Sequence, residues 1–563
     1  MNENQRTPGG GGLTAPPERA DEATGPAGGD PGSWSPALSG RHDNSVAAGG
    51  TAGGSRSRAG ATVGAIAPGG APAVERPAGQ APAGPDGVGS SGERDAGGRP
   101  AGNAAVDPAL GTVHVIGGGL AGLSAALELA EAGRRVALYE SGPACGGRAR
   151  SYEDRQLGCR IDNGNHLLLS ANEATFRFLD RIGARDTLMG PGVPLFPFAN
   201  LADGARWSLD LSHGRVPWWL LRRDRRVPGM RLREVGGLLR LMRARRSETV
   251  AECLAGSGLL AERLMLPLAI SVLNTRPEQG SAALLGAVMR ESLAKGGAAC
   301  VPWFPREGLS ETFIDPAVAR LRALGAIIRT GARVGGMELL HGRVGALMLP
   351  EGRLPLGPRD QVVLAVPAQS APAVASGVLE LRAPDEFESI LNFHYRSDAG
   401  DFLRGDLHRA RFVGLVGGIA EWVFVKPGIL SVTVSAANHL SEHDNAELAE
   451  RVWGEVRVAV RPYLRPGAPE EGLLPVPLPP HRVVREKRAT FAATPWQEGL
   501  RPPGRTSLPN LVLAGDWTAT GLPATIEGAM RSGSAAAALL LPTVGRSKRD
   551  RTRNESRRRS DRR

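Results

Sequence analysis

Thr112 to Arg150 reads TVHVIGGGLAGLSAALELAEAGRRVALYESGPACGGRAR, and this stretch decides the fold. Val113, Val115 and Ile116 form a short apolar run that predicts a buried strand. Gly117, Gly119 and Gly122 follow as G-x-G-x-x-G. Leu120 to Ala132 is rich in Ala and Leu and free of Pro, so a helix is expected, stopped at Gly133. Val136 to Tyr139 is a second apolar strand that ends at Glu140. The three glycines suit a tight turn, a close approach of backbone to a pyrophosphate, and close packing of helix on strand. The helix N-terminus offers unpaired N–H groups and the positive end of its dipole to phosphates. Glu140 stands where a carboxylate accepts hydrogen bonds from ribose hydroxyls. Gly146, Gly147 and Arg148 add a second close approach and a guanidinium suited to a phosphate.

Working outward, the 563 residues exceed one ordinary domain. Residues 1–110 are dominated by Gly, Ala, Pro, Ser and Arg and lack aliphatic periodicity, so a disordered extension is expected. They contain no apolar core of the length a secretory signal needs, and no run long enough for a spanning helix occurs. Cys145, Cys159, Cys253 and Cys300 have no metal-ligand spacing. Free thiols, a cytoplasmic location and no structural metal are therefore expected. The net charge is +11, and the tail 546–563 carries +7 of it, with ten Lys/Arg against three Asp/Glu. That tail is expected to be disordered. No aromatic interleaving accompanies it, which argues against a nucleic-acid-binding domain.

A second motif lies near the other end. Leu513-Ala514-Gly515-Asp516-Trp517 is followed by Gly521-Leu522-Pro523-Ala524-Thr525-Ile526-Glu527-Gly528-Ala529. G-x-G-x-x-G, Glu and G-G-R at one end, with this run at the other, resemble the two FAD motifs of the amine oxidase and carotenoid desaturase superfamily. The resemblance implies an α/β fold: a Rossmann-like FAD-binding domain interleaved with an α+β substrate domain. It implies FAD held by Gly117, Gly119, Gly122, Glu140, Gly147, Arg148, Gly515 and Asp516. Val334 is expected near the adenine, and the backbone of Thr525 and Ile526 near the flavin ring. The helix from Glu527 to Leu541 would point its N-terminus at the ring. No Cys or His stands in the C-terminal motif, so a non-covalent cofactor is expected.

Between the motifs the chain passes in and out of the nucleotide domain. The expected FAD-binding parts are 111–195, 301–384 and 483–545, and the substrate-domain parts are 196–300 and 385–482. Leu167 to Glu311 reads as mostly helical. Phe313–Leu324 reads as a helix, and Ala326–Arg329, Val362–Val366, Ile390–Tyr395 and Leu430–Val434 as strands. Val216 to Arg246 holds ten Arg against Asp224 and Glu234, next to Trp218, Trp219, Leu220 and Leu221. Two readings stand for it, a helix on an anionic membrane surface or a solvated substrate-domain helix, and Pro228-Gly229 is expected to split the stretch.

Asp162-Asn163-Gly164-x-His166-Leu167-Leu168-Leu169, Arg485 to Phe491 and the run Gly515 to Gly528 are similar to one branch of the superfamily, the hydroxysqualene dehydroxylases of hopanoid synthesis. Asn165 stands where Gln is more often expected, and Ser389 where Pro is. The branch implies a lipophilic isoprenoid substrate and removal of an allylic hydroxyl, with hydride from reduced FAD. It implies peripheral contact with the inner face of the membrane and squalene-pathway synthases as partners. His166 is the expected acid at the hydroxyl, with Asp162 orienting it. The same loop residues read as mere braces of the loop. The alternatives are a carotenoid-type desaturase, an amine oxidase and a non-catalytic flavoprotein scaffold.

Overall fold

The computed structural model describes residues 110–541. The expected extension before residue 110 and the basic tail 546–563 lie outside the described residues.

The apolar runs form a five-stranded parallel sheet. Its order is Ile327–Arg329, Arg135–Tyr139, Thr112–Ile116, Gln361–Leu364, Leu511–Leu513. Alternate side chains point to opposite faces. Val113, Val115, Val136, Leu138, Val363 and Val512 pack on a helical layer, and Ile116, Ala137, Val362 and Leu364 on the other side. The helical layer includes Leu120–Glu131 and Ile526–Leu540, brought together from opposite ends of the chain. On the other side lies the three-stranded antiparallel sheet Gly336–Leu340, Arg343–Leu349, Gly352–Pro355. The strand order reverses between Thr112–Ile116 and Gln361–Leu364, and such a switch point opens a crevice at the carboxyl ends of the strands.

A seven-stranded sheet makes the second body. Its order is His481–Phe491, Phe387–Arg396, Ile429–Val434, Trp422–Lys426, Phe412–Val416, Leu195–Asn200, Arg206–Asp210. One face buries Leu391, Phe393, Tyr395, Leu430, Val432 and Val434 against Leu448, Val452 and Val456 of the helix Asn445–Val460. The other face is divided. Phe412, Trp422 and Phe424 give it an aromatic end, while Asn392, His394, Ser431 and Thr433 give it a buried polar stripe.

Two expectations are corrected. The span from Leu167 to Glu311 is not mostly helical at its start, because Leu195–Asn200 and Arg206–Asp210 form a hairpin at the edge of the seven-stranded sheet. Phe196, Phe198, Trp207 and Leu209 favour a strand surface, and Ala202-Asp203-Gly204 turns the chain. Val216 to Arg246 is not one basic helix either. It is three short 3₁₀ turns, Trp218–Leu221, Arg223–Arg225 and Leu232–Glu234, before the helix Val235–Met242. Pro217, Pro228 and Gly229, at φ +78°, break the helical path. Among the described residues no helix is long and apolar enough to cross a membrane.

The contact between the two terminal-motif helices leaves no room for a side chain at Gly533. A Cβ there would lie 2.3 Å from the Ala121 carbonyl oxygen. Gly533→Ala should therefore destabilise the fold by about 1–3 kcal/mol through overpacking. A thermal melt that matches the wild type would show that the helices separate without cost.

Candidate functional site

The turn after the first strand is built from backbone approaches. Gly117 has φ +111°, and a Cβ there would sit 2.5 Å from the Ala365 carbonyl oxygen across the switch point. A Cβ on Gly122 would fall 1.9 Å from the Gly117 carbonyl oxygen, so helix and turn touch through bare backbone. Gly119 differs: a Cβ there would meet nothing within 4 Å. Gly119 is also the N-cap of the helix, which has no side-chain cap and no acid in its first turn. Unpaired N–H donors beside open space, with no competing anion, fit a pyrophosphate.

Glu140 closes the adjoining edge. Its carboxylate accepts the Gly118 N–H at 2.8 Å and the Gly142 N–H at 2.7 Å, which fixes it at the strand end with lone pairs to spare. The segment after Ile327–Arg329 folds against it. Ala332 N–H donates to the Glu140 carbonyl and Gly331 N–H to that of Gly142, and Val334 is buried two residues beyond. Val334 therefore lies in the loop that borders Glu140. Gly146 N–H donates to the Gly118 carbonyl, and a Cβ on Gly147 would come 3.5 Å from the Gly119 Cα. The G-G pair thus packs directly on the G-x-G turn.

Arg148 connects the two motifs. It donates to the Asp516 carboxylate at 2.7 Å and to the Ala489 carbonyl at 2.6 Å. Burial disfavours its charge, but Asp516 and then Glu486 raise its pKa above the ordinary arginine value. The guanidinium expected to pair with a phosphate is thus joined first to a protein carboxylate. The Asp516 loop is held from behind by Arg501, a buried residue that sequence reading missed. Arg501 donates to the carbonyls of Asp516 and Thr518 and to the Thr520 hydroxyl. Gly515, at φ +151°, donates its N–H to the Ser532 hydroxyl. Thr525 caps the helix Ile526–Leu540, its hydroxyl accepting the Gly528 N–H at 3.0 Å. Ile526 is buried behind it.

The Asp162 to His166 loop crosses the polar stripe of the second sheet. Asp162 is buried, and its carboxylate accepts the Ser151 hydroxyl at 2.6 Å, the Leu309 N–H at 2.8 Å and the Lys426 ammonium. Burial alone would raise its pKa, but Lys426 and these hydrogen bonds hold it below the ordinary carboxylate value. Asn163 donates to Glu486, and Asn165 donates to the Ser431 and Thr433 hydroxyls at 2.7 and 3.0 Å. Thr433 passes its own hydrogen to Asn392, and Asn392 donates to the Asn163 carbonyl. Ser431 is 2.9 Å from His394 Nδ1.

The expectation that Asp162 orients His166 is corrected. The Asp162 oxygens are taken by Ser151, Leu309 and Lys426, and His166 has no hydrogen-bond partner among the described residues. The His166 pKa nevertheless lies below the ordinary value. Burial lowers it to about 4; the Asp162 charge opposes this, and Lys426 and Arg148 reinforce it. His394 is likewise lowered to about 4, chiefly by burial. Lys426, Asn392, His394, Ser431 and Thr433 escaped the sequence reading. Their signal was a polar residue at every second place in apolar strands, as in Leu391-Asn392-Phe393-His394 and Leu430-Ser431-Val432-Thr433. The four cysteines are free thiols. Burial pushes the Cys145 thiol, beside Gly118, up to about 11.

The family model for flavin containing amine oxidoreductases matches residues 120–541. The hydroxysqualene dehydroxylase of Rhodopseudomonas palustris is 43% identical over 432 residues, covering 76% of this chain and 98% of its own. That of Sinorhizobium fredii is 40% identical over 429 residues, covering 76% and 98%. Among solved structures, cyclohexylamine oxidase from Brevibacterium oxydans superposes with a TM-score of 0.54 at 15% identity, over 76% of this chain and 98% of that one. That likeness speaks for the fold alone.

Two variants test the site. Gly119→Val fills the open space at the helix N-terminus and should purify folded but without flavin; a fully yellow protein would move the pyrophosphate elsewhere. Lys426→Met leaves the buried Asp162 charge without its cation and should cost about 3–5 kcal/mol in thermal or denaturant unfolding.

Proposed function

This chain belongs to the flavin containing amine oxidoreductase family and, within it, to the hydroxysqualene dehydroxylases, and from that premise we propose that it reductively removes the hydroxyl of hydroxysqualene to give squalene. The observation that carries this reading is the Asp162 to His166 loop, which is held on the polar stripe of the sheet through Asn165 and carries an imidazole with no hydrogen-bond partner among the described residues. Non-covalent FAD, when bound and reduced, would supply hydride to the carbon that loses oxygen. Gly117, Gly119, Gly122, Glu140 and Gly147 would hold its nucleotide part. Arg148, Gly515, Asp516, Thr525 and Ile526 would hold the part toward the ring, with Val334 at the adenine end.

The remaining work falls to this chain's own side chains. An allylic C–O bond ionises once its oxygen is protonated, so the site must present an acid and keep water away. His166 is assigned that oxygen. A pKa of about 4 leaves the imidazole almost wholly neutral at pH 7, so it donates an N–H hydrogen bond to the oxygen, and its small imidazolium fraction delivers the proton. Asp162 serves by anchoring the loop through Lys426, Ser151 and Leu309. Phe412, Trp422 and Phe424 are buried at the apolar end of the same sheet face, and the isoprenoid carbon would lie toward that end, away from the polar stripe. We place the enzyme in the cytoplasm at the inner face of the membrane, receiving substrate from squalene-pathway synthases, because both substrate and product partition into lipid.

The reaction test uses reduced enzyme in deuterium oxide with hydroxysqualene and no oxygen. Squalene with one deuterium at the former carbinol carbon is the expected product, and unchanged alcohol would exclude the assignment. The pH test follows from the lowered His166 value. Its protonated fraction grows tenfold for each unit of pH lost between 7 and about 5, so the rate of the chemical step should rise toward acid. His166→Ala should keep its flavin, lose at least about a hundredfold in rate and lose this slope. A His166→Ala enzyme with near-native rate and the same profile would place the acid elsewhere.

A further inference from the structure

Three exposed apolar side chains stand together on the segment that sequence reading expected to be a helix. Val216, Trp218 and Leu221 are 52%, 63% and 61% exposed. The segment is not a loose loop. Gly297 and Ala298 donate their N–H groups to the carbonyls of Ser212 and His213, and Trp219 N–H donates to the Ser212 hydroxyl at 3.0 Å. Trp219 itself is buried, as are Val227 and Met230, in the same core as Leu264 and Met265. One tryptophan anchors the turn inward, and its neighbour is thereby held outward. Holding Trp218 in water sacrifices the apolar burial that a large aromatic normally gains on folding.

The surrounding charge is of one sign and largely uncompensated. The two acids of the stretch are already engaged: Asp224 pairs with Arg222, and the buried Glu234 accepts the Leu260 N–H at 3.0 Å. Arg225 reaches Asp210. Arg215, Arg223, Arg231 and Arg233 are exposed and form no ion pair with a described residue. Like charge of this density opposes pairing with a second copy of the chain and favours an anionic partner. Tryptophan and leucine beside arginine suit the boundary between lipid head groups and acyl chains, where the ring and the alkyl stems bury and the guanidinium groups meet phosphate.

We propose that Val216, Trp218 and Leu221, ringed by Arg215, Arg223, Arg231 and Arg233, form a membrane-docking wedge that inserts into an anionic bilayer. The purpose it would serve, taking a lipophilic substrate from the bilayer, rests on the proposed function; the binding itself does not.

The full-length holoenzyme is mixed with vesicles of phosphatidylcholine and of phosphatidylcholine with phosphatidylglycerol, with and without bromine on the acyl chains. The enzyme should co-float with the anionic vesicles, release as salt is raised, and show tryptophan emission quenched by brominated chains. Trp218→Ser with Leu221→Ser should abolish the quenching, and Arg223→Ser with Arg231→Ser and Arg233→Ser should weaken binding about a hundredfold, at roughly fivefold per arginine. Both variants should retain wild-type flavin and the wild-type rate on hydroxysqualene dispersed in detergent, and slow only on substrate held in anionic vesicles. Binding that occurs without quenching would overturn the wedge and assign the contact to the basic tail. No binding to any vesicle would overturn it in favour of an acidic protein partner. A wild type that docks and is quenched yet leaves hydroxysqualene unchanged would leave the wedge standing and remove the assigned reaction.

Discussion

The Arg148–Asp516 ion pair is the contact on which the site depends. It joins a loop that follows the second strand to one that follows the last, 368 residues further along the chain. Each loop alone is a glycine-rich turn with free backbone donors. Joined, they meet at the carboxyl ends of the parallel strands, across the switch point of the sheet. The pair is reinforced at both ends, by the Ala489 carbonyl on the arginine and by Arg501 holding the Asp516 backbone. A guanidinium fixed by two acceptors loses little further freedom when a ligand arrives, and this is what preorganisation requires.

A second buried pair, Asp162 with Lys426, plays the same part between the two bodies. A carboxylate with this much burial is tolerable only when its oxygens are occupied, and here they meet a cation, a hydroxyl and a backbone N–H. For the imidazole four residues away, the carboxylate's effect is outweighed by burial. Asp162 still draws the His166 pKa upward, but burial outweighs it, and Lys426 and Arg148 add to the effect of burial. The folded protein therefore holds both His166 and His394 neutral. Their folded pKa values, about 4, lie below the ordinary value near about 6.5, so the unfolded chain takes up protons first as pH falls. These two groups cost no stability above about pH 6.5 and draw it down between there and about pH 4.

The division of the second sheet gives the chemistry its setting. Aromatic rings are packed together at one end, and a stripe of hydroxyl and amide groups at the other holds the loop that carries His166. The same protein then presents an apolar, arginine-ringed surface to the outside. A substrate that is nearly all hydrocarbon, apart from one hydroxyl, calls for these properties together: an apolar entry, an apolar wall and one placed polar group.

Local sequence determined the nucleotide half. Three glycines with different duties, an acid at the strand end, and strand and helix runs of ordinary length left little freedom, because each of these features acts through its own backbone or its nearest neighbours. The two glycine-rich motifs and the strands around them were legible for that reason. The hairpin Leu195 to Asp210 was not, since its strand character depends on joining a sheet whose other strands lie some two hundred residues away. In the basic stretch the break at Pro228-Gly229 was legible, but not that the residues before it fold as short turns rather than as a helix. The His166 loop was found, but not its state. Whether a carboxylate four residues away helps an imidazole depends on what else that carboxylate touches, and Lys426 reaches Asp162 only through the tertiary fold. Burial and long-range pairing set the protonation of the site, and neither is a local property of sequence.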